Sequence, residues 1–145
     1  MAIEHPIPLL QRFRYVLEFL LVRILFVLFS LLSLDKASAV GGFLGVKVGP
    51  YLPITRRALA NLRMAFPDWS DVEILATVRG MWDHLGRVVA EYPHLGEFDV
   101  SGRDGRVEIV GTEHLDLLRD DQIAGILIAG HIGNWELGPL VARHR

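Results

Sequence analysis

The chain of 145 residues contains no cysteine. That absence excludes a disulfide framework, a thiolate nucleophile and every thiolate metal site. A dense basic tract is also missing: 15 lysines and arginines stand against 17 aspartates and glutamates, and the pI is near 6.3. Without such a tract, and with no recognition motif that interleaves aromatics with arginine, nucleic-acid binding is not expected. No internal repeat, low-complexity tract or dinucleotide-binding glycine pattern occurs. His5, His84, His94, His114 and His144 fall at no close ligand spacing, so a metal site is not expected.

Apolar residues are abundant instead, 51% of the chain with a mean hydropathy of +0.33. They concentrate near the start. Tyr15 to Leu34 is interrupted only by Glu18 and Arg23, and Ile24 to Leu34 carries no charge. The stretch is long enough to span a bilayer core and predicts a membrane-anchoring helix, with a helix lying in the interface as the alternative. Arg12, Arg14 and Arg23 ahead of Ala37-Ser38-Ala39 also imitate a secretory signal, against which Asp35-Lys36 separates the apolar run from that site. Charge divides unevenly: residues 1–63 hold eight basic and three acidic residues, net +5, and residues 64–145 hold seven and fourteen, net −7. The basic part is the apolar part, and Lys36, Lys47, Arg56 and Arg57 suit a cytoplasmic position for the chain beyond the anchor.

Three domains are expected: a membrane anchor over residues 1–36, an amphipathic helical region over 37–96, and the start of an α/β catalytic domain over 97–145. Within the second, Ala37 to Leu52 is rich in glycine and only loosely helical. Ile54 to Ala65 reads as an amphipathic helix closed by Phe66-Pro67. Ser70 with Glu73 forms a capping box that opens a helix from Asp71 to about Tyr92. That helix carries one broad apolar stripe, a core face or the wall of an acyl-chain groove. Glu91, near its end, opposes the macrodipole. Leu95 to Arg106 is a polar linker. Val107–Val110 and Ile123–Ala129 read as strands, with a short helix at Glu113–Arg119 between them and another from Trp135 to Arg143. Strand, helix, strand, helix predicts a parallel sheet with a right-handed crossover.

The chemistry concentrates in Gly130-His131-Ile132-Gly133-Asn134-Trp135-Glu136. Residues five apart on a continuous helix point about 140° away from one another, so His131 and Glu136 meet only if the chain turns. Gly133 permits that turn. The expected loop follows a strand, where open α/β sheets place their ligands. A neutral imidazole can take the proton from a hydroxyl as its oxygen attacks a carbonyl, and a carboxylate on the other ring nitrogen fixes the tautomer and stabilises the imidazolium. No serine or cysteine stands beside His131, so the substrate supplies the nucleophile and direct acyl transfer from a thioester is expected. Gly133 and Asn134 offer backbone amides for the thioester oxyanion. Trp135 serves as a packing anchor or a substrate contact. The bland reading of the pair is a helix-start glutamate favoured by the dipole.

Gly-His-Ile-Gly-Asn-Trp-Glu resembles the first motif of the bacterial lipid A biosynthesis acyltransferases, the lauroyl and myristoyl transferases. Arg57, Asn61-Leu62, Phe66-Pro67 and Glu91 resemble that family's amino-terminal block, and Val107 to Leu115 its strand and turn ahead of the motif. The resemblance implies an α/β fold of the glycerolipid-acyltransferase kind. It implies His131 and Glu136 as catalytic residues, with Gly133, Asn134, Trp135 and Arg57 binding substrate. It implies an acyl carrier protein thioester as donor with no metal or organic cofactor, a lipid A precursor as acceptor, and a place at the bacterial inner membrane with the catalytic part facing the cytoplasm. The basic residues of the first part would meet anionic headgroups or the acceptor's phosphates. The family's later strands and its arginine-containing block have no counterpart here, so a fragment is expected. The alternatives are an acyltransferase for another glycolipid, such as a phosphatidylinositol mannoside, and a non-catalytic membrane-anchored piece.

Overall fold

The computed structural model describes residues 8–101, 105–121, 123–130 and 132–144. Among these it forms six α-helices: α1 (Leu9–Ser30), α2 (Leu34–Val48), α3 (Ile54–Ala65), α4 (Asp71–Glu91), α5 (Thr112–Asp120) and α6 (Leu137–His144). Short 3-10 segments at Gly49–Tyr51 and Tyr92–Glu97 follow α2 and α4.

The expected α/β fold is overturned, because no described residue lies in a strand or sheet. Val107–Val110 and Ile123–Ala129 carry the apolar runs of buried strands, yet Val110, Ile126 and Ile128 are exposed. An apolar run supplies a face for packing, whereas a strand also needs a neighbour's N–H and C=O groups, and no described segment pairs with these. The expected apolar anchor is corrected as well: no helix among the described residues is long and apolar enough to cross a membrane. Arg12, Arg14, Glu18 and Arg23 all fall within α1, and Arg14 pairs with Glu18 at 3.0 Å. The apolar stretch that continues to Leu34 in sequence breaks after Ser30, and Ser33 begins α2 as its N-cap.

The core is built on the crossing of α2 over α4. Gly41 and Gly45 of α2 and Gly49, its C-cap, follow one another at four-residue spacing. A Cβ at Gly41 would overlap the Gly86 carbonyl oxygen, one at Gly45 the Trp82 carbonyl oxygen, and one at Gly49 the Trp82 indole. The reciprocal holds for Gly86 against the Gly41 oxygen. The backbones therefore touch directly. That contact explains why a glycine-rich segment with poor helix propensity is a regular helix: each glycine costs about 1 kcal/mol of propensity, and close packing offsets it. Phe29, Ala37 and Ala90 cluster at one end of the crossing, and Ile74, Val78 and Trp82 are buried further along α4.

α3 is attached through buried polar groups. Trp82 Nε1 donates to Thr55 Oγ1 at 3.0 Å, and Thr55 Oγ1 donates to the Gly49 carbonyl at 2.7 Å. One hydroxyl thus satisfies a donor on α4 and an acceptor after α2. Thr55→Val keeps the shape and leaves both groups buried without partners, so the chain should lose about 2–4 kcal/mol in denaturant unfolding, while Thr55→Ser should lose well under half of that. At the start of α4 the expected capping box is present: Ser70 N donates to Glu73 Oε2 at 2.7 Å and Glu73 N to Ser70 Oγ at 3.4 Å.

The segment after α4 is fastened to α1 by His94, which is 2% exposed. Its Nδ1 lies 2.6 Å from Glu97 Oε1 and its Nε2 3.0 Å from the Phe29 carbonyl oxygen. The Glu97 carboxylate raises the ring's pKa above its ordinary 6.5, with burial opposing. A protonated ring donates to both partners, and a neutral ring has one N–H and loses one of them. Because the folded pKa is the higher one, this stabilisation is fully present below the unfolded value and is lost as pH rises through the folded value. Melting temperature should therefore fall relative to His94→Gln as the buffer is raised from pH 6 to pH 8. Glu97 is more than half exposed, so solvent screening keeps the effect below about 1 kcal/mol.

Candidate active site

The end of α4 meets the motif loop. Glu91, in the last turn of α4, accepts a hydrogen bond at Oε1 from Ser38 Oγ of α2 (2.8 Å) and at Oε2 from Asn134 Nδ2 (3.1 Å). The next residue, Tyr92, donates its hydroxyl to Glu136 Oε1 at 3.3 Å. Tyr92 is itself set by α1, its ring stacked on Phe26 with centroids 6.4 Å apart. Burial, then the charge and the hydrogen bond of Glu136, push the Tyr92 phenol above its ordinary value, while a hydrogen bond from Trp135 acts the other way. The phenol therefore stays protonated at neutral pH and remains a donor to the carboxylate.

The backbone turns where the sequence requires it. Gly133 has φ +70°, in the left-handed region that favours glycine. α6 then starts at Leu137, with the Leu137 N–H on the Asn134 carbonyl, slightly later than the expected start at Trp135. His131 lies outside the described residues, as do residues 102–104 of the expected linker. Asn134 and Glu136 are brought together with Glu91, Tyr92 and Ser38, and Trp135 borders them partly exposed. Arg57 is not in this group: it is exposed on α3, which meets α4 at Trp82, nine residues and about 13 Å of helix before Glu91.

Asn134 Oδ1 is buried and takes no hydrogen bond from a described residue. Its partner cannot be Glu91, since an ionised carboxylate has no hydrogen to give. Glu91 and Tyr92 belong to the site although sequence reasoning does not mark them as site residues. The available signal is Glu91 itself, an acid kept in a last helical turn where the dipole disfavours it by about 0.3–1 kcal/mol. Its carboxylate is committed to hydrogen bonds outside the helix, which accounts for the misfit.

Along the same helices runs an apolar groove of about 450 Å³ between α1, α2 and α4, walled by Leu25, Phe29, Leu44, Trp82, Leu85 and Val89 and floored by the α2 glycines. It contributes no polar surface, and Val89 lies half a turn before Glu91. A larger cavity of about 750 Å³ lies against α5, with Glu108, Arg119 and His144 in its lining and no motif residue. Among the described residues no three metal-binding side chains converge.

Residues 6–144 match the model of a protein family described as bacterial lipid A biosynthesis acyltransferase. No curated protein and no solved structure matches the chain.

Proposed function

The chain belongs to the bacterial lipid A biosynthesis acyltransferase family, and on that premise we propose that it moves a fatty acyl group from an acyl carrier protein thioester to a hydroxyl of a lipid A precursor. His131 takes the hydroxyl proton as the oxygen attacks the thioester carbonyl carbon. The carbon–oxygen bond forms, the carbon–sulfur bond breaks, and the proton passes from the imidazolium to the leaving thiolate, giving an ester and a free thiol. Glu136 orients the imidazole and balances its charge. Amides at Gly133 and Asn134 face the oxyanion, and Trp135 borders the acceptor. No organic cofactor or metal is invoked.

The observation that carries this reading is the hold on Glu136. Its carboxylate sits just after the Gly133 turn, fixed by a phenol that keeps its proton. A carboxylate so placed is set by tertiary contacts rather than left as a solvated helix-start charge. The groove along α4 adds support, since its wholly apolar lining suits an acyl chain. The surface of α1 supports a place at a lipid surface. Phe13, Phe19, Leu21 and Leu28 are each more than half exposed, among Arg12, Arg14 and Arg23. Such a helix gains by burying exposed apolar side chains in a lipid interface while its guanidinium groups reach anionic headgroups. Arg57, remote from the loop, would meet the acceptor's phosphates only through a large acceptor spanning both.

A donor and acceptor panel tests the assignment. With acyl carrier protein thioester, one acyl addition is expected on the lipid A precursor and none on a phosphatidylinositol mannoside. Transfer to the mannoside alone would leave an acyltransferase of a different glycolipid.

A further inference from the structure

Resting on the acyl-transfer reading above, we propose that Glu91 is a positioning residue whose carboxylate fixes the orientation of the Asn134 amide and, through it, the loop from Ile132 to Glu136. Its two oxygens divide the task. One is held by Ser38 of α2 at 2.8 Å, which ties the carboxylate to the rigid α2–α4 pair. The other receives Asn134 Nδ2 at 3.1 Å. Because a carboxylate only accepts, the NH2 end of the amide must face it, and the Oδ1 end must face away.

That consequence is visible in the loop. Asn134 Oδ1 is buried with no partner among the described residues, a position that costs free energy unless a hydrogen donor arrives there. Glu91 thus sets where a hydrogen-bond acceptor stands, two residues before the carboxylate that Tyr92 holds. Consecutive residues at the end of α4 grip alternate residues of the loop. A loop carrying an acid–base pair needs its groups within about half an ångström of their working positions, and a double tether to a helix supplies that. Glu91 acts through Asn134, with both of its oxygens already occupied.

The test is a reciprocal exchange. Acyl-transfer kcat and KM are measured for the parent, Glu91→Gln, Asn134→Asp and the double variant, together with amide hydrogen exchange of residues 130–136 and of α4. The isosteric Glu91→Gln change brings an NH2 group that can turn the Asn134 amide round. It should lower kcat about tenfold with KM within about twofold, and speed exchange in the loop while α4 stays protected. Asn134→Asp sets two carboxylates face to face and should lose more. In the double variant the glutamine NH2 donates to one aspartate oxygen while the other occupies the place of Oδ1, so kcat should return to within about threefold of the parent.

An equally active Glu91→Gln chain, or a double variant no better than the worse single one, overturns the inference. So does loss of α4 protection in Glu91→Gln, which marks a structural role. A parent without transfer activity removes the acyl-transfer reading and this inference with it, whereas an active parent indifferent to residue 91 overturns the inference alone.

Discussion

Replacing His131 with alanine should lower the rate of acyl transfer about a hundred- to ten-thousandfold, with KM for the thioester donor changing by less than about threefold. A hydroxyl is a poor nucleophile until its proton has somewhere to go as the new bond forms. An imidazole supplies that destination near neutral pH, and no serine or cysteine adjoins His131 in the sequence to open a covalent route. Glu136→Gln keeps the shape of the side chain and still accepts from Tyr92, while it removes the charge that balances the imidazolium. Its loss should fall in kcat too, by about a hundredfold or more. Steady-state rates with the acyl carrier protein thioester and the lipid A precursor check both. A His131→Ala chain that works within about threefold of the parent would leave the motif as a structural turn.

The second large effect is on folding and comes from the α2–α4 crossing. Gly45→Val places a branched side chain where a Cβ already overlaps the Trp82 carbonyl oxygen and stands 3.2 Å from Gly86 Cα. Neither neighbour is a flexible side-chain end, so the helices must separate. Separation also pulls Trp82 from Thr55 and opens the core around Phe29 and Ala90. We expect a loss of about 3 kcal/mol or more, enough to unfold a domain of ordinary stability, read by circular dichroism in a denaturant titration. Gly80→Ala is the matched control. Gly80 lies within the same helix α4, and a Cβ there would meet nothing within 4 Å. Alanine should stabilise by about 0.5–1 kcal/mol through helix propensity alone. Equal tolerance of the two substitutions would mean that the glycine face of α2 is not packed on α4.

Local signals carry much of the helical layout. The apolar spacing of Ile54–Ala65 and the Ser70–Glu73 pair are self-contained, and α3 and α4 form where they point. Thr112–Asp120 is helical around the expected Glu113–Arg119, and Gly133 turns in the left-handed region. The features that sequence does not reveal depend on partners elsewhere in the chain. Glycine at 41, 45 and 49 reads as weak helix until the facing positions of α4, Trp82 and Gly86, are known to leave room only for hydrogen. Ile123–Ala129 reads as a strand because apolar runs of that length commonly are strands, but strand formation is a property of a pair. The apolar stretch from Tyr15 to Leu34 shows no break by composition, yet α1 ends at Ser30 and Ser33 opens a new helix whose Ala37 clusters with Phe29. Glu91 stands out in sequence only as a misplaced acid. Its use becomes apparent once Ser38 and Asn134, 53 and 43 residues away, stand beside it.

The most direct test is product formation. The chain is incubated in lipid micelles with acyl carrier protein thioester and a lipid A precursor, beside its His131→Ala variant, and the lipids are weighed by mass spectrometry. One added acyl group per acceptor and an equal amount of free thiol are expected from the parent, with the variant reduced to background. Thiol release without an acylated lipid, or no reaction from the parent under conditions that keep it folded, would contradict acyl transfer by this chain.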